Sequence, residues 1–131
     1  MCVLQLCSCT AVDTGVGERL SYGPFHAVRI YSQPGAQYLA LLLSGDGGWG
    51  SPLDAIASRL SSQRTLVAGI DVHDLLSSYA RSPQSCVSPG VDLADLAHYL
   101  RQRYSLRDVP VVLIGHSAGA TLASVALLPE R

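Results

Sequence analysis

The stretch VVLIGHSAGATLASVALL, Val111 to Leu128, constrains the fold more than any other part of the chain. Four apolar residues read as a buried strand, and Gly115-His116-Ser117-Ala118-Gly119 follows as a turn. An apolar helix begins at once after it. A strand-to-helix turn this sharp forces its middle residue into a strained backbone conformation, so its neighbours need to be very small. Gly115, Ala118 and Gly119 meet that need. The Ser117 hydroxyl is then lifted above the carboxyl edge of a sheet. The helix aims its N–H groups and positive dipole end at any negative charge that forms there. A tight α/β connection with Ser117 as a plain N-cap is the competing reading, and the apolar context on both sides favours the nucleophile turn.

The rest of the chain supplies the sheet. Glu18 to Ser32, broken by Gly23-Pro24, predicts two short strands around a turn. YLALLL, Tyr38 to Leu43, and TLVAGI, Thr65 to Ile70, read as strands covered on both faces. Between them Ser51 is a candidate N-cap and Pro52 a first helical residue. Leu53, Ile56, Ala57 and Leu60 form one helical stripe there. Asp71 to Pro89 reads as a long excursion with one helical turn or two, because Ser82-Pro83 and Ser88-Pro89 punctuate it. Asp92 to Tyr104 predicts a helix and Val111 to Ile114 a third buried strand. The alternation implies an α/β fold with a mostly parallel sheet and helices on both faces.

A second motif, Ser44-Gly45-Asp46-Gly47-Gly48-Trp49, closes the first buried strand. In hydrolases with a serine turn of this kind, the corresponding loop gives one backbone N–H of the oxyanion hole. Asp46 and Gly47 are the candidates here, partnered by Ala118. A plain glycine loop, with Trp49 packed as a lid on the next helix, is the alternative. A phosphate loop is excluded, since G-x-x-x-x-G-K-[ST] is absent.

Composition narrows the function classes. A net charge of −1 with scattered arginines leaves no basic field for nucleic acid. With 48% hydrophobic residues in 131, the chain has material for one real core. Cys2, Cys7 and Cys9 crowd the N-terminus and Cys86 stands alone; C-x4-C-x-C lacks a second ligand pair, so neither a metal nor another cofactor is expected. Residues 1–17 read as a frayed tail or the remnant of an export signal, although a charged n-region and a full apolar run are absent. Cys86 reads as a free, half-buried thiol, or as one that pairs with a cysteine beyond Arg131 in an oxidising compartment.

LLLSGDGGW together with VVLIGHSAGATL resembles the VirJ/AcvB family of bacterial virulence proteins, within the α/β-hydrolase superfamily. GIDVHDLL and the stretch from Cys86 to Leu100 add to the likeness, which runs from about Leu20 to Leu128. The resemblance implies a periplasmic serine hydrolase linked to type IV secretion components. Its substrate would be the aminoacyl ester of lysyl-phosphatidylglycerol, or another lipid-linked or small-molecule ester, reached by peripheral membrane contact. It assigns Ser117 as nucleophile and Asp46, Gly47 and Ala118 to the oxyanion hole. His116 replaces an aromatic residue common in the family, and is expected to point into the fold as a packing variant.

The chain order of this superfamily is serine, acid, histidine. After Ser117 come only Glu130 and no histidine, while His26, His73, His98 and His116 all precede or adjoin it. Residues 18–131 are therefore expected to be the N-terminal part of a hydrolase domain, truncated after the nucleophile helix and close to inactive as it stands. His73, beyond the second buried strand, is a weak substitute base, and Asp71 a loop-capping carboxylate. A generic cytoplasmic esterase or thioesterase, and a non-catalytic binding or scaffolding module, are the alternatives.

Overall fold

The computed structural model describes residues 17–84 and 86–128. The N-terminal cysteines and the export-signal reading of residues 1–17 lie outside these, apart from Gly17. The chain forms β1 (Arg19–Tyr22), β2 (Phe25–Tyr31), β3 (Tyr38–Leu43), α1 (Ser51–Ser61), β4 (Thr65–Ile70), α2 (Val72–Arg81), α3 (Pro89–Arg103), β5 (Val111–Gly115) and α4 (Ala118–Ala126). The strands make one sheet in the order β1-β2-β4-β3-β5.

This sheet is mixed, which corrects the expectation of a mostly parallel one. β3 runs parallel to both β4 and β5, but β2 is antiparallel to β4 and β1 is antiparallel to β2. The cause lies in connection length. Consecutive strands that run parallel in one sheet need a crossover of a dozen or more residues to return the chain to the starting end, whether or not they are neighbours. Residues 32–37, between β2 and β3, are too few, so the chain reverses there and β2 opposes the parallel strands. β1 and β2 form a hairpin, with Gly23 at a φ of 54° in its turn.

Alternation along β3 sends Leu39, Leu41 and Leu43 to one face, into a core with Leu75 of α2 and Leu93, Leu96 and Leu100 of α3. Ala40 and Leu42 point to the other face, where Leu53 and Ala57 of α1 meet Tyr31 and Val67. Helices thus cover both faces. All six residues of β4 are buried, as a central strand requires. β5 is different: Val111 and Val112 are exposed, because among the described residues it is the edge strand.

Several local expectations shift. Gly50, not Ser51, caps α1, and Ser51 and Pro52 are its first two residues. Asp71 to Pro89 holds a ten-residue helix, more than the turn or two expected. The Asp71 side chain caps α2 by accepting from the Asp74 N–H at 3.0 Å, and the helix stops before Pro83. Pro89 opens α3 three residues earlier than expected, since proline suits a first helical turn. Cys86 is exposed, not half-buried.

Candidate active site

The connection after β3 leads into α1 on one face, and the connection after β5 leads into α4 on the other. Neighbouring parallel strands whose connections leave in opposite directions open a crevice at their carboxyl ends, the usual ligand position in α/β sheets. Both sequence motifs emerge at that point.

Ser117 has φ 54° and ψ −120°, far from the conformations an L-residue prefers. Its surroundings hold it there. A Cβ on Gly119 would lie 2.5 Å from the Leu43 carbonyl oxygen and 2.9 Å from its carbon. One on Gly115 would meet the Cα of Ala120 at 2.5 Å. Neither backbone can retreat, so both positions demand glycine. The first turn of α4 closes behind the serine, with Gly119 N–H donating to the His116 carbonyl and Ala120 N–H to that of Ser117, both at 2.9 Å. The result is a Ser117 that is solvent-exposed.

The glycine loop approaches it directly: a Cβ on Gly45 would stand 3.4 Å from that of Ser117. Gly45 to Gly48 make a tight turn, the Gly48 N–H donating to the Gly45 carbonyl at 3.1 Å, with Gly48 at φ 87°. Asp46 and Gly47 occupy its tip. Among the described residues, no backbone carbonyl accepts from the N–H of Asp46, Gly47 or Ala118.

Three anchors fix the loop from below. Buried Ser44 accepts from the Val72 N–H at 2.9 Å and donates to the Gly45 carbonyl at 3.0 Å, tying the end of β3 to the start of α2. Asp71 accepts from the Trp49 N–H at 2.9 Å with its second oxygen, so one carboxylate caps α2 and holds the loop. The Trp49 indole is the third anchor. It lies on Gly69 of β4, where a Cβ would come within 2.8 and 2.9 Å of ring carbons. Its N–H donates to Asp54 at 2.8 Å, the Tyr31 hydroxyl donates to the same oxygen, and Arg29 stacks over the ring at 5.4 Å. The Tyr31 and Trp49 hydrogen bonds hold the Asp54 carboxyl below its usual range. Burial, then the hydrogen bond to Asp54, pushes Tyr31 up to about 12. Trp49 is thus a wedge between sheet and α1 and not a lid.

A cavity of about 320 Å³ joins the two motifs, lined by Gly45, Asp46, Gly47, His116 and Ser117, with Pro52, Leu53 and Ile56 of α1 along one wall. Ala118 does not line it, though it follows Ser117 directly. His116 corrects an expectation: it is exposed on this cavity and does not point into the fold. The signal for it was its place beside a strained residue at a sheet edge. His26 and His98 line other cavities, and His73 is exposed on α2 away from this lining. Among the described residues, no histidine ring hydrogen-bonds to a carboxylate or to Ser117. No group of three or more metal-ligating side chains is found among them either.

Fold and site together define an α/β protein that presents a strained serine and a glycine turn at the switch point of a mixed sheet. Residues 37–130, well over half of the chain, match the family described as bacterial virulence protein (VirJ). The chain belongs to the VirJ family. No curated protein and no solved structure matches it.

Proposed function

We propose that this protein is a serine hydrolase of VirJ/AcvB type, cleaving a carboxylic ester of an aminoacyl group such as that of lysyl-phosphatidylglycerol. The observation that carries the reading is Ser117 at φ 54°, exposed and 3.4 Å in Cβ terms from the glycine loop. Strain of this kind persists only where the surrounding structure enforces it, and it gathers at functional sites. In this reading the Ser117 oxygen attacks the ester carbonyl and a general base takes its proton. The N–H groups of Asp46 or Gly47 and of Ala118 hold the oxyanion, each donor contributing on the order of 3 kcal/mol to the transition state. The alcohol leaves with a proton, and water then releases the acid from Ser117.

The VirJ family match supports the virulence-associated setting; a periplasmic site of action at an inner-membrane lipid is part of the proposal. The test uses the full-length gene product and vesicles containing lysyl-phosphatidylglycerol, with short-chain esters and thioesters in parallel. Release of lysine that Ser117→Ala abolishes supports the proposal. Hydrolysis of the plain esters alone would assign a generic esterase instead. Equal release by Ser117→Ala would remove the serine from the chemistry, and no release from any substrate would favour a binding module.

A further inference from the structure

The end of β5 remote from Ser117 carries a second cluster of polar side chains, none of them used by the hydrolase reading. The turn after α3 brings Ser105, Arg107 and Asp108 together with His98, Arg101 and Gln102 of the helix. These six line a cavity of about 770 Å³, which shares no residue with the cavity of about 320 Å³ at Ser117. The strand itself lies between the two. Arg101 donates to the carbonyl of Val109, two residues ahead of β5, whereas Ser117 stands two residues past its end at Gly115. Five residues of extended chain cover about 16 Å.

The lining is rich in donors and short of partners. Arg101 uses one guanidinium nitrogen on Val109, which fixes the group in place, while its Nε is buried without a partner. Arg107 is exposed, and among the described residues neither it nor His98, Gln102 or Ser105 spends a side-chain donor on the protein. The one ion pair among those residues joins Arg103 to Glu18. Asp108 therefore neutralises neither arginine, and two guanidinium charges against one carboxylate leave the lining positive. Arginine in the last turn of a helix ordinarily offsets the dipole, and Arg101 has that task. Arg107 lies beyond the helix and does not.

We propose that this cavity binds a tetrahedral oxyanion, a phosphate group, held between Arg101 and Arg107. Arginine meets phosphate oxygens in pairs through its planar fork. A carboxylate offers two oxygens in one plane, whereas a phosphate offers oxygens in several directions. Donors that arrive from a helix face and from the turn beyond it match the second shape. Gln102, Ser105 and His98 supply the neutral hydrogen bonds around the ion. The site does not depend on the chemistry at Ser117, and a ligand in it does not compete with an ester there.

The full-length gene product is titrated with inorganic phosphate, and with acetate for comparison, by isothermal titration calorimetry in a phosphate-free buffer. Saturable phosphate binding, tighter than that of acetate, is the expected result. Arg107→Gln should weaken it about tenfold, the scale of a hydrogen bond to a charged group. The fold tolerates this change, because the side chain is exposed and unpartnered. Arg59→Gln, at an exposed arginine of α1, should leave the affinity unchanged. Sedimentation with vesicles of phosphatidic acid in phosphatidylcholine identifies the source of the group. Pelleting that free phosphate competes away and Arg107→Gln loses assigns a lipid headgroup. Phosphate binding without such pelleting assigns a soluble phosphate compound. The proposal is overturned by no saturable phosphate binding, by acetate binding equally well, or by Arg107→Gln behaving as Arg59→Gln does.

Discussion

Gly69 and Trp49 should be energetically one unit, and a double-mutant cycle measures this. A methyl group on Gly69 would stand within 3 Å of the indole, in a central strand whose six residues are all buried. The backbone of Gly69 is not in the left-handed region, so alanine carries no conformational penalty there. The whole cost of Gly69→Ala is overpacking, about 1–3 kcal/mol. Trp49→Ala removes the ring, its hydrogen bond to Asp54 and the Arg29 contact, at about 3–5 kcal/mol. In the double variant the added methyl enters space the ring has left. The pair should therefore cost no more than Trp49→Ala alone, giving a coupling of about 1–3 kcal/mol. Urea unfolding followed by far-ultraviolet circular dichroism reads all four proteins. Additive losses, within about 0.5 kcal/mol, would mean that the indole does not rest on Gly69, and the account of how the glycine loop is anchored would fail.

Other perturbations test the remaining supports. Gly119→Ala drives a Cβ against the Leu43 carbonyl, backbone on backbone, so a loss of more than about 3 kcal/mol or failure to fold is expected in thermal melts. Ser44→Ala leaves the buried Val72 N–H without its acceptor and should cost about 1–3 kcal/mol, measured by chemical denaturation. Alkaline titration follows from Tyr31: its folded value, about 12, exceeds the ordinary 10.0, so its contribution is complete below about pH 10 and declines as pH rises through about 12. Tyr31→Phe should remove that part of the decline, seen in midpoints of unfolding between pH 9 and 12. At the acid end Asp54 acts in the opposite sense. Its lowered folded value means stability present above the ordinary carboxylate range and lost as pH falls through it, a loss that Asp54→Asn should abolish.

What the sequence disclosed follows from how local each signal is. β3 and β4 run from Tyr38 to Leu43 and from Thr65 to Ile70 as read, because a strand buried on both faces declares itself in uninterrupted apolar residues. The Ser117 turn was legible because its glycines are required by contacts within a few residues, and by the strand beside it. Sheet direction was not legible from the strands themselves. It depends on residues 32–37 being too short for a crossover, a property of the connection. The extent of α2 was hidden by Pro83 and Pro89, which bound the helix from outside and do not interrupt it. β5 has the composition of a core strand, and among the described residues it pairs on one side only, with β3.

At the site, Asp46, Gly47 and Ser117 meet on one cavity as their spacing implied. The double role of Asp71, and the slot that Gly69 opens for Trp49, could not be read, since each joins residues about twenty apart through the fold. His116 was misread because an aromatic-for-histidine exchange suggests packing. Its exposure follows from the strained turn that carries it.

The most direct measurement is covalent. The full-length gene product is treated with a fluorophosphonate, digested and mapped by mass spectrometry. A single adduct on the peptide bearing Ser117, absent from Ser117→Ala and slowed by Gly47→Pro, is the result the account predicts. An unmodified Ser117, or an adduct that persists in Ser117→Ala, would contradict it.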